Sequence, residues 1–277
     1  MTTMIEGQWR HPRNTAAHQK GGIHDDETAT KLGFIGGTVA GSIHMEQFLP
    51  LCLQAYGESW WRSGVLSTYF KQATVDLQPV RCFLQPSATG QARVWMENEA
   101  NELILEGTAQ LGECAEPTAL NTRLQALREP EELRILREFE VDQQVAAQTR
   151  VEHHYVDQQL AVITESHDYF VSADALGARA LPYTQVLRIF DPAEQLLAQP
   201  AVQPFVGLYG AIEIAFENGP VLASTDYQST CTVVGLSDSP KTEVLWRASR
   251  LTLDGVGVAR MLKMDRLMKN SSPLWAT

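Results

Sequence analysis

Gly21-Gly22-Ile23-His24-Asp25-Asp26-Glu27-Thr28-Ala29-Thr30-Lys31-Leu32-Gly33-Phe34, followed by Gly36-Gly37-Thr38-Val39-Ala40-Gly41, is the stretch on which the fold turns. It sets one histidine, a run of carboxylates, a short helical segment and a glycine turn directly before an apolar segment. That is the layout of a loop that holds a carbonyl group. Asp26 reads as the N-cap of a short helix closed by Gly33. Gly36, Gly37 and Gly41 either let the chain turn sharply and approach a sheet, or leave backbone N–H groups around Val39, Ala40 and Gly41 free to polarise a carbonyl.

Outward from this loop, residues 38–56 predict an apolar helix kinked at Pro50 and closed by Gly57. Strand-like runs follow over residues 64–77, 92–97 and 103–111. Charge and polarity rise between Cys114 and Arg150, which marks a linker over 114–150, with helical spacing from Leu124 through Phe139. Beyond it, 205–216 predicts a shorter apolar helix ending at Asn218-Gly219-Pro220. Strands then follow over 222–236, 242–253 and 256–268, with a turn at Asp254-Gly255. The order helix then antiparallel meander thus occurs twice, with domains expected over 1–113 and 151–277.

Composition bounds the function. The chain has 277 residues, 44% hydrophobic and 20% charged, which fits a globular protein of two domains or one large one. A net charge of −11 with no long basic run argues against nucleic acid as a partner. No signal-peptide pattern and no apolar run of about 20 residues is present, so a cytoplasmic location off the membrane is expected. Cys52, Cys82, Cys114 and Cys231 lack Cys-x-x-Cys spacing and read as buried free thiols. His153-His154-Tyr155 and His167-Asp168-Tyr169 suggest a metal only superficially, because adjacent histidines in a strand face opposite sides. No metal and no cofactor is expected.

The residues Asn14-Thr15-Ala16 through His24-Asp25-Asp26, with Ala29, Gly33-Phe34, Gly36-Gly37 and Val39-x-Gly41, resemble the signature of MaoC-like (R)-specific enoyl-CoA hydratases and dehydratases. The resemblance implies an α+β double hotdog, two tandem copies of an apolar helix wrapped by an antiparallel sheet. It implies an acyl thioester substrate, on coenzyme A or an acyl carrier protein, and a lyase reaction of the hydratase or dehydratase type. His24 matches the motif histidine, the acid/base group. The family's aspartate stands five residues before that histidine, in Asp-x-Asn-Pro-x-His. Here that position is Gln19, and Gly21-Gly22 replace Asn-Pro. Gln19 cannot ionise, although it can bond water or a carbonyl.

The missing carboxylate comes either from Asp25, beside His24, or from the second half across the pairing of the two. Candidate catalytic residues are therefore His24 and Asp25. Candidate substrate-binding residues are Gln19, Gly37, Val39, Ala40 and Gly41. His44 reads as a core histidine, Glu46 as a weaker candidate, and Glu213 and Glu217 as glutamates of the second apolar helix. Trp60 and Trp61 read as core or interface aromatics. The second half lacks a His-Asp signature before Leu181-Pro182-Tyr183, so the first half is expected to supply the site. Further pairing of hotdog sheets makes a homodimer an open expectation. A thioesterase or cyclase with Gln19 on a substrate carbonyl, or a non-catalytic acyl-binding subunit, are the alternatives.

Overall fold

A computed structural model describes residues 3–276. Ten strands are present: β1 (Ile5–Glu6), β2 (Gly64–Phe70), β3 (Val80–Gln85), β4 (Ala92–Asn98), β5 (Leu103–Leu111), β6 (Gln144–Thr149), β7 (Gly207–Phe216), β8 (Tyr227–Asp238), β9 (Thr242–Leu253) and β10 (Val256–Met268). They form one antiparallel sheet in the order β1-β3-β4-β5-β2-β7-β10-β9-β8-β6. Outward from the centre, β2-β5-β4-β3-β1 is matched by β7-β10-β9-β8-β6, so each half repeats the other's connectivity. The seam is β2 against β7, with Val65 opposite Ala215 and Tyr69 opposite Ala211.

Among the described residues eight α-helices lie between the strands: α1 (Asp26–Lys31), α2 (Gly41–Glu46), α3 (Leu49–Tyr56), α4 (Trp60–Ser63), α5 (Ala119–Gln125), α6 (His153–Leu160), α7 (Asp168–Val171) and α8 (Tyr183–Ala198). The helix predicted over 38–56 is two helices with a break at Gln47–Phe48. Pro50 falls in the first turn of α3, where its missing N–H costs nothing.

The helical reading of 205–216 is overturned, because Gly207–Phe216 is strand β7, and Glu213 therefore lies on a strand. β7 is central and apolar on both faces, and periodicity alone does not separate such a run from a buried helix. The second half's long helix is instead α8, which buries Val186, Ile189, Phe190, Ala193 and Leu197 at helical spacing. Pro192 inside it disguises the pattern.

Further differences have local causes. Strand β2 stops at Phe70, short of Leu77, which has a φ of 59°. Strand β3 lies between Pro79 and Pro86, outside the strands expected from the sequence, with Val80, Cys82 and Leu84 alternating inward. The linker expected over 114–150 contains an edge strand, β6, paired with β8. Only Ala119–Gln125 of it is helical. Leu133 to Phe139 is irregular, held because the buried Glu243 carboxylate accepts the backbone N–H groups of Arg134, Ile135 and Leu136. His153 and His154 open helix α6 and do not lie in a strand.

One buried cluster runs through both halves, joining Phe48, Trp60, Leu66 and Leu84 to Ile189, Phe190, Ile212 and Ile214. Trp60 and Trp61 are core residues of it. Within this apolar interior Glu46, on α2, accepts hydrogen bonds from Gln159 Nε2 (3.0 Å) and from the Thr184 backbone N–H (2.9 Å) in the first turn of α8. The carboxyl thus caps a helix of the opposite half. Burial pushes its pKa up to about 7, against which the bonds from Thr184 and Gln159 act only partly.

A folded pKa raised above the unfolded value means that stability is fully present below the ordinary glutamate range and is lost as pH rises through 7. Glu46→Gln is therefore expected to match the parent protein in urea midpoint at pH 4. At pH 8 it should be more stable by about 1–3 kcal/mol. A variant less stable than the parent at pH 8 would contradict this.

Candidate active site

His24 is fixed by backbone. Its Nδ1 donates to the Thr38 carbonyl oxygen at 2.7 Å. Asn14 Nδ2 donates to the His24 carbonyl at 2.8 Å, and Thr38 N–H donates to the Ile23 carbonyl at 2.9 Å. The loop closes this tightly because residue 37 is glycine: a Cβ there would lie 2.3 Å from the His24 oxygen. With Nδ1 holding the proton, neutral His24 has Nε2 free as a base.

His24 lines a cavity of about 320 Å³ between the two halves, together with Thr38, Val39, Gly41 and His44 from the first. The second half supplies Ala198, Ala201, Phe205 and Tyr209, and also Arg247 and Asp265. Leu136 and Phe139, of the segment anchored by Glu243, and Phe70 of β2 also line it.

Asp25 is not brought to this cavity. It holds the N-cap position of α1 with φ −90° and ψ 126°, the place expected for Asp26. The Thr28 hydroxyl donates to its carboxylate at 2.7 Å and Lys20 Nζ at 3.0 Å. Thr28 first, then Lys20, hold this carboxyl well below the usual range. It is an anchored, permanently charged group, unsuited to exchanging protons. Asp26 lies one residue later, in the first turn, and its Oδ1 accepts the Gly37 N–H at 2.7 Å. Gln19 is solvent-exposed and outside the cavity lining.

The glycine turn divides in the same way. The N–H groups of Gly37, Thr38 and Val39 are spent on Asp26, Ile23 and Thr74. Ala40 is the N-cap of α2 and does not line the cavity, whereas Gly41 does. In the first turn of α2, which no side chain caps, the Ile43 N–H bonds the Ala40 carbonyl, and the Gly41 and Ser42 N–H groups have no partner among the described residues.

His44 is the group whose role the sequence hid. It is buried, lines the cavity, and bonds through Nε2 to Thr74 Oγ1 at 2.7 Å, leaving Nδ1 with no partner among the described residues. Burial pushes its pKa down to about 4, so it is neutral at neutral pH. The Thr38 hydroxyl is likewise buried and unpartnered. No group of His, Cys, Asp or Glu among the described residues has metal-holding geometry. Glu213 is bonded by Thr118 and Asn121, away from the cavity. Glu217 pairs with Arg250 and Arg260. Of the four thiols, Cys114 is only half-buried.

No protein-family model matches the sequence, and no curated protein matches it either. Solved structures do match. A protein assigned as a MaoC-domain dehydratase of Chloroflexus aurantiacus superposes with a TM-score of 0.64 at 11% identity, covering 97% of this chain and 95% of the other. A MaoC-like dehydratase gives 0.57 at 10% identity, over 96% and 98%. A conserved Mycobacterium tuberculosis protein with a double hotdog fold also gives 0.57 at 10%, over 96% of each chain. The chain is a double hotdog.

In a double hotdog the cavity has a twin. Val39 N–H bonds the Thr74 carbonyl and Thr38 bridges Val75; in the second half Leu181 N–H bonds the Val221 carbonyl and Ala180 bridges Leu222. Gly41, which opens α2, therefore corresponds to Tyr183, which opens α8, and Phe70 to Phe216. A Cβ on Gly41 would lie 2.5 Å from the Phe70 ring, so that site stays open only as glycine. Tyr183 stacks on Phe216 with centroids 6.2 Å apart and receives the Trp60 indole N–H at 3.1 Å.

Where Ala198 and Ala201 border the open cavity, Trp61, Phe170 and Tyr183 close in on the twin, leaving about 10 Å³. Contrary to expectation, a His-Asp pair does stand in the twin loop. His167 lies 13 residues before Ala180, as His24 lies 14 before Thr38. However, its Nδ1 accepts the Tyr169 N–H and its ring packs on Trp61, 4.9 Å between centroids. Ala201→Trp should close the open cavity as Trp61 closes the twin. A crystal structure of the variant is expected to show the indole filling the space beside His24 and His44, with the fold unchanged; a cavity of undiminished volume would contradict the equivalence of the two spaces.

Proposed function

We propose that the protein is an acyl-thioester hydratase or dehydratase in which His24 alone performs both proton transfers. The observation that supports this best is His24 with Nδ1 pinned by the Thr38 carbonyl, on the wall of an interdomain cavity that it shares with a second, neutral histidine, while the carboxylate lining that cavity, Asp265, is engaged by Arg247. In the dehydration direction, Nε2 takes a proton from the carbon next to the thioester carbonyl, and the electron pair moves onto the carbonyl oxygen. His44 Nδ1–H, its proton fixed there when Thr74 donates to Nε2, and the first-turn amides of α2 hold that oxyanion. The pair then returns to form the double bond as the C–O bond to the β-hydroxyl breaks, and the leaving hydroxide takes from His24 the proton that came from the α-carbon, departing as water. Hydration is the reverse.

One base acting on both atoms removes the need for the carboxylate that Gln19 replaces. Gln19 stands outside the cavity, so the thioesterase and cyclase readings lose the residue on which they rested. A scaffold role fits less well with unpartnered, buried polar atoms at Thr38 and His44, which cost stability unless a ligand meets them. The four free cysteines agree with a cytoplasmic setting, and no helix among the described residues is long and apolar enough to cross a membrane.

His24→Ala is expected to lower kcat for hydration of a short trans-2-enoyl-CoA by about 10²–10⁴-fold. His44→Phe should lower it by about a hundredfold, as loss of an oxyanion donor does. Undiminished turnover by His24→Ala would sink the proposal.

A further inference from the structure

Resting on that reading, the geometry points to a polar subsite on the second-half wall of the same cavity, formed by Arg247 and Asp265, that binds a hydroxyl group carried on the acyl chain. The two side chains project from β9 and β10, on the same sheet face as Phe70 of β2. With β7 and β10 intervening, three strand spacings separate β9 from β2, about 14 Å. Arg247 thus stands three strand spacings from β2 and Asp265, on β10, two, about 9–10 Å, which sets the subsite toward the chain's far portion and away from the thioester. Phe205, Leu245 and Leu267 make the surface between apolar.

The chemistry of the pair selects the ligand. Arg247 Nε and Nη2 both donate to Asp265 Oδ2, and Nη1 donates to the Glu194 carbonyl at 3.3 Å. Two of the five guanidinium N–H groups are left over. Asp265 Oδ1 accepts no hydrogen bond among the described residues, yet its residue lines the cavity. A hydroxyl satisfies both, donating to Oδ1 and accepting from Arg247.

A carboxylate does not fit. Arg247 and Lys263 are balanced by Asp265 and Glu194, the latter bonded to Lys263, and Asp191 and Arg188 add one charge of each sign. No net positive charge remains to offset a further buried anion. Nor is the pair explained by stability alone, since buried ion pairs seldom outperform apolar residues of equal size. A cavity of about 320 Å³, near the lower end for small-molecule sites, suits a short or medium chain.

The test compares two saturated acyl-CoAs of equal medium length, one unsubstituted and one with a terminal hydroxyl, by calorimetric titration, and the matching 2-enoyl-CoAs in turnover. The hydroxylated ligand should bind at least about tenfold more tightly, as sites built to bond a hydroxyl reject the analogue lacking it. Asp265→Asn and, independently, Arg247→Lys should collapse that preference. Equal binding of the two chains by the parent protein, or binding of neither, overturns the subsite whatever the variants do. Binding preference without turnover of either enoyl-CoA retains the subsite and sinks the hydratase reading. Turnover without preference does the opposite.

Discussion

The pairing of β2 with β7 is the contact on which everything else depends. Residues 65–69 meet 211–215 in register, and the Thr68 hydroxyl adds a bond to the Ile212 carbonyl at 2.9 Å. Both strands are central and buried, so leaving their backbone groups unpaired would cost far more than the bonds gain in water. The pairing turns two half-sheets into one and fixes which residues of each half face a common space. His24 and His44 come from one half, Ala201, Arg247 and Asp265 from the other, and no half encloses the cavity alone.

The same near-twofold arrangement creates two equivalent spaces, and side-chain volume decides between them. Gly41 with Ala198 and Ala201 keeps one open, while Tyr183 with Trp61 and Phe170 fills the other with large buried side chains. Interiors are packed closely enough that an empty twin would weaken the core. One of the two spaces is therefore packed solid and the other stays open. The filled twin also ties the halves together through the Trp60 to Tyr183 hydrogen bond, across the seam.

Much of the fold is legible in the residues. The Asp254-Gly255 hairpin gives β9 and β10 at their observed bounds, and the glycine turn ending at Gly41 marks the start of α2. The repeat is legible as an order of elements but is displaced, because β7 is apolar on both faces and α8 carries Pro192. At the site, His24, Val39 and Gly41 line the cavity, whereas Gln19, Asp25, Gly37 and Ala40 do not. Asp25 misleads because proximity in sequence says nothing about which way a loop carboxylate turns; Thr28 and Lys20 decide that. His44, Arg247 and Asp265 look like ordinary core or surface residues until the seam brings them together.

A crystal structure with a saturated acyl-CoA tests the central claim most directly. The account predicts the acyl chain in the cavity between the halves, its α-carbon within reach of His24 Nε2 and the thioester oxygen within hydrogen-bonding distance of His44 Nδ1. A chain bound elsewhere, or a thioester remote from His24, would contradict it.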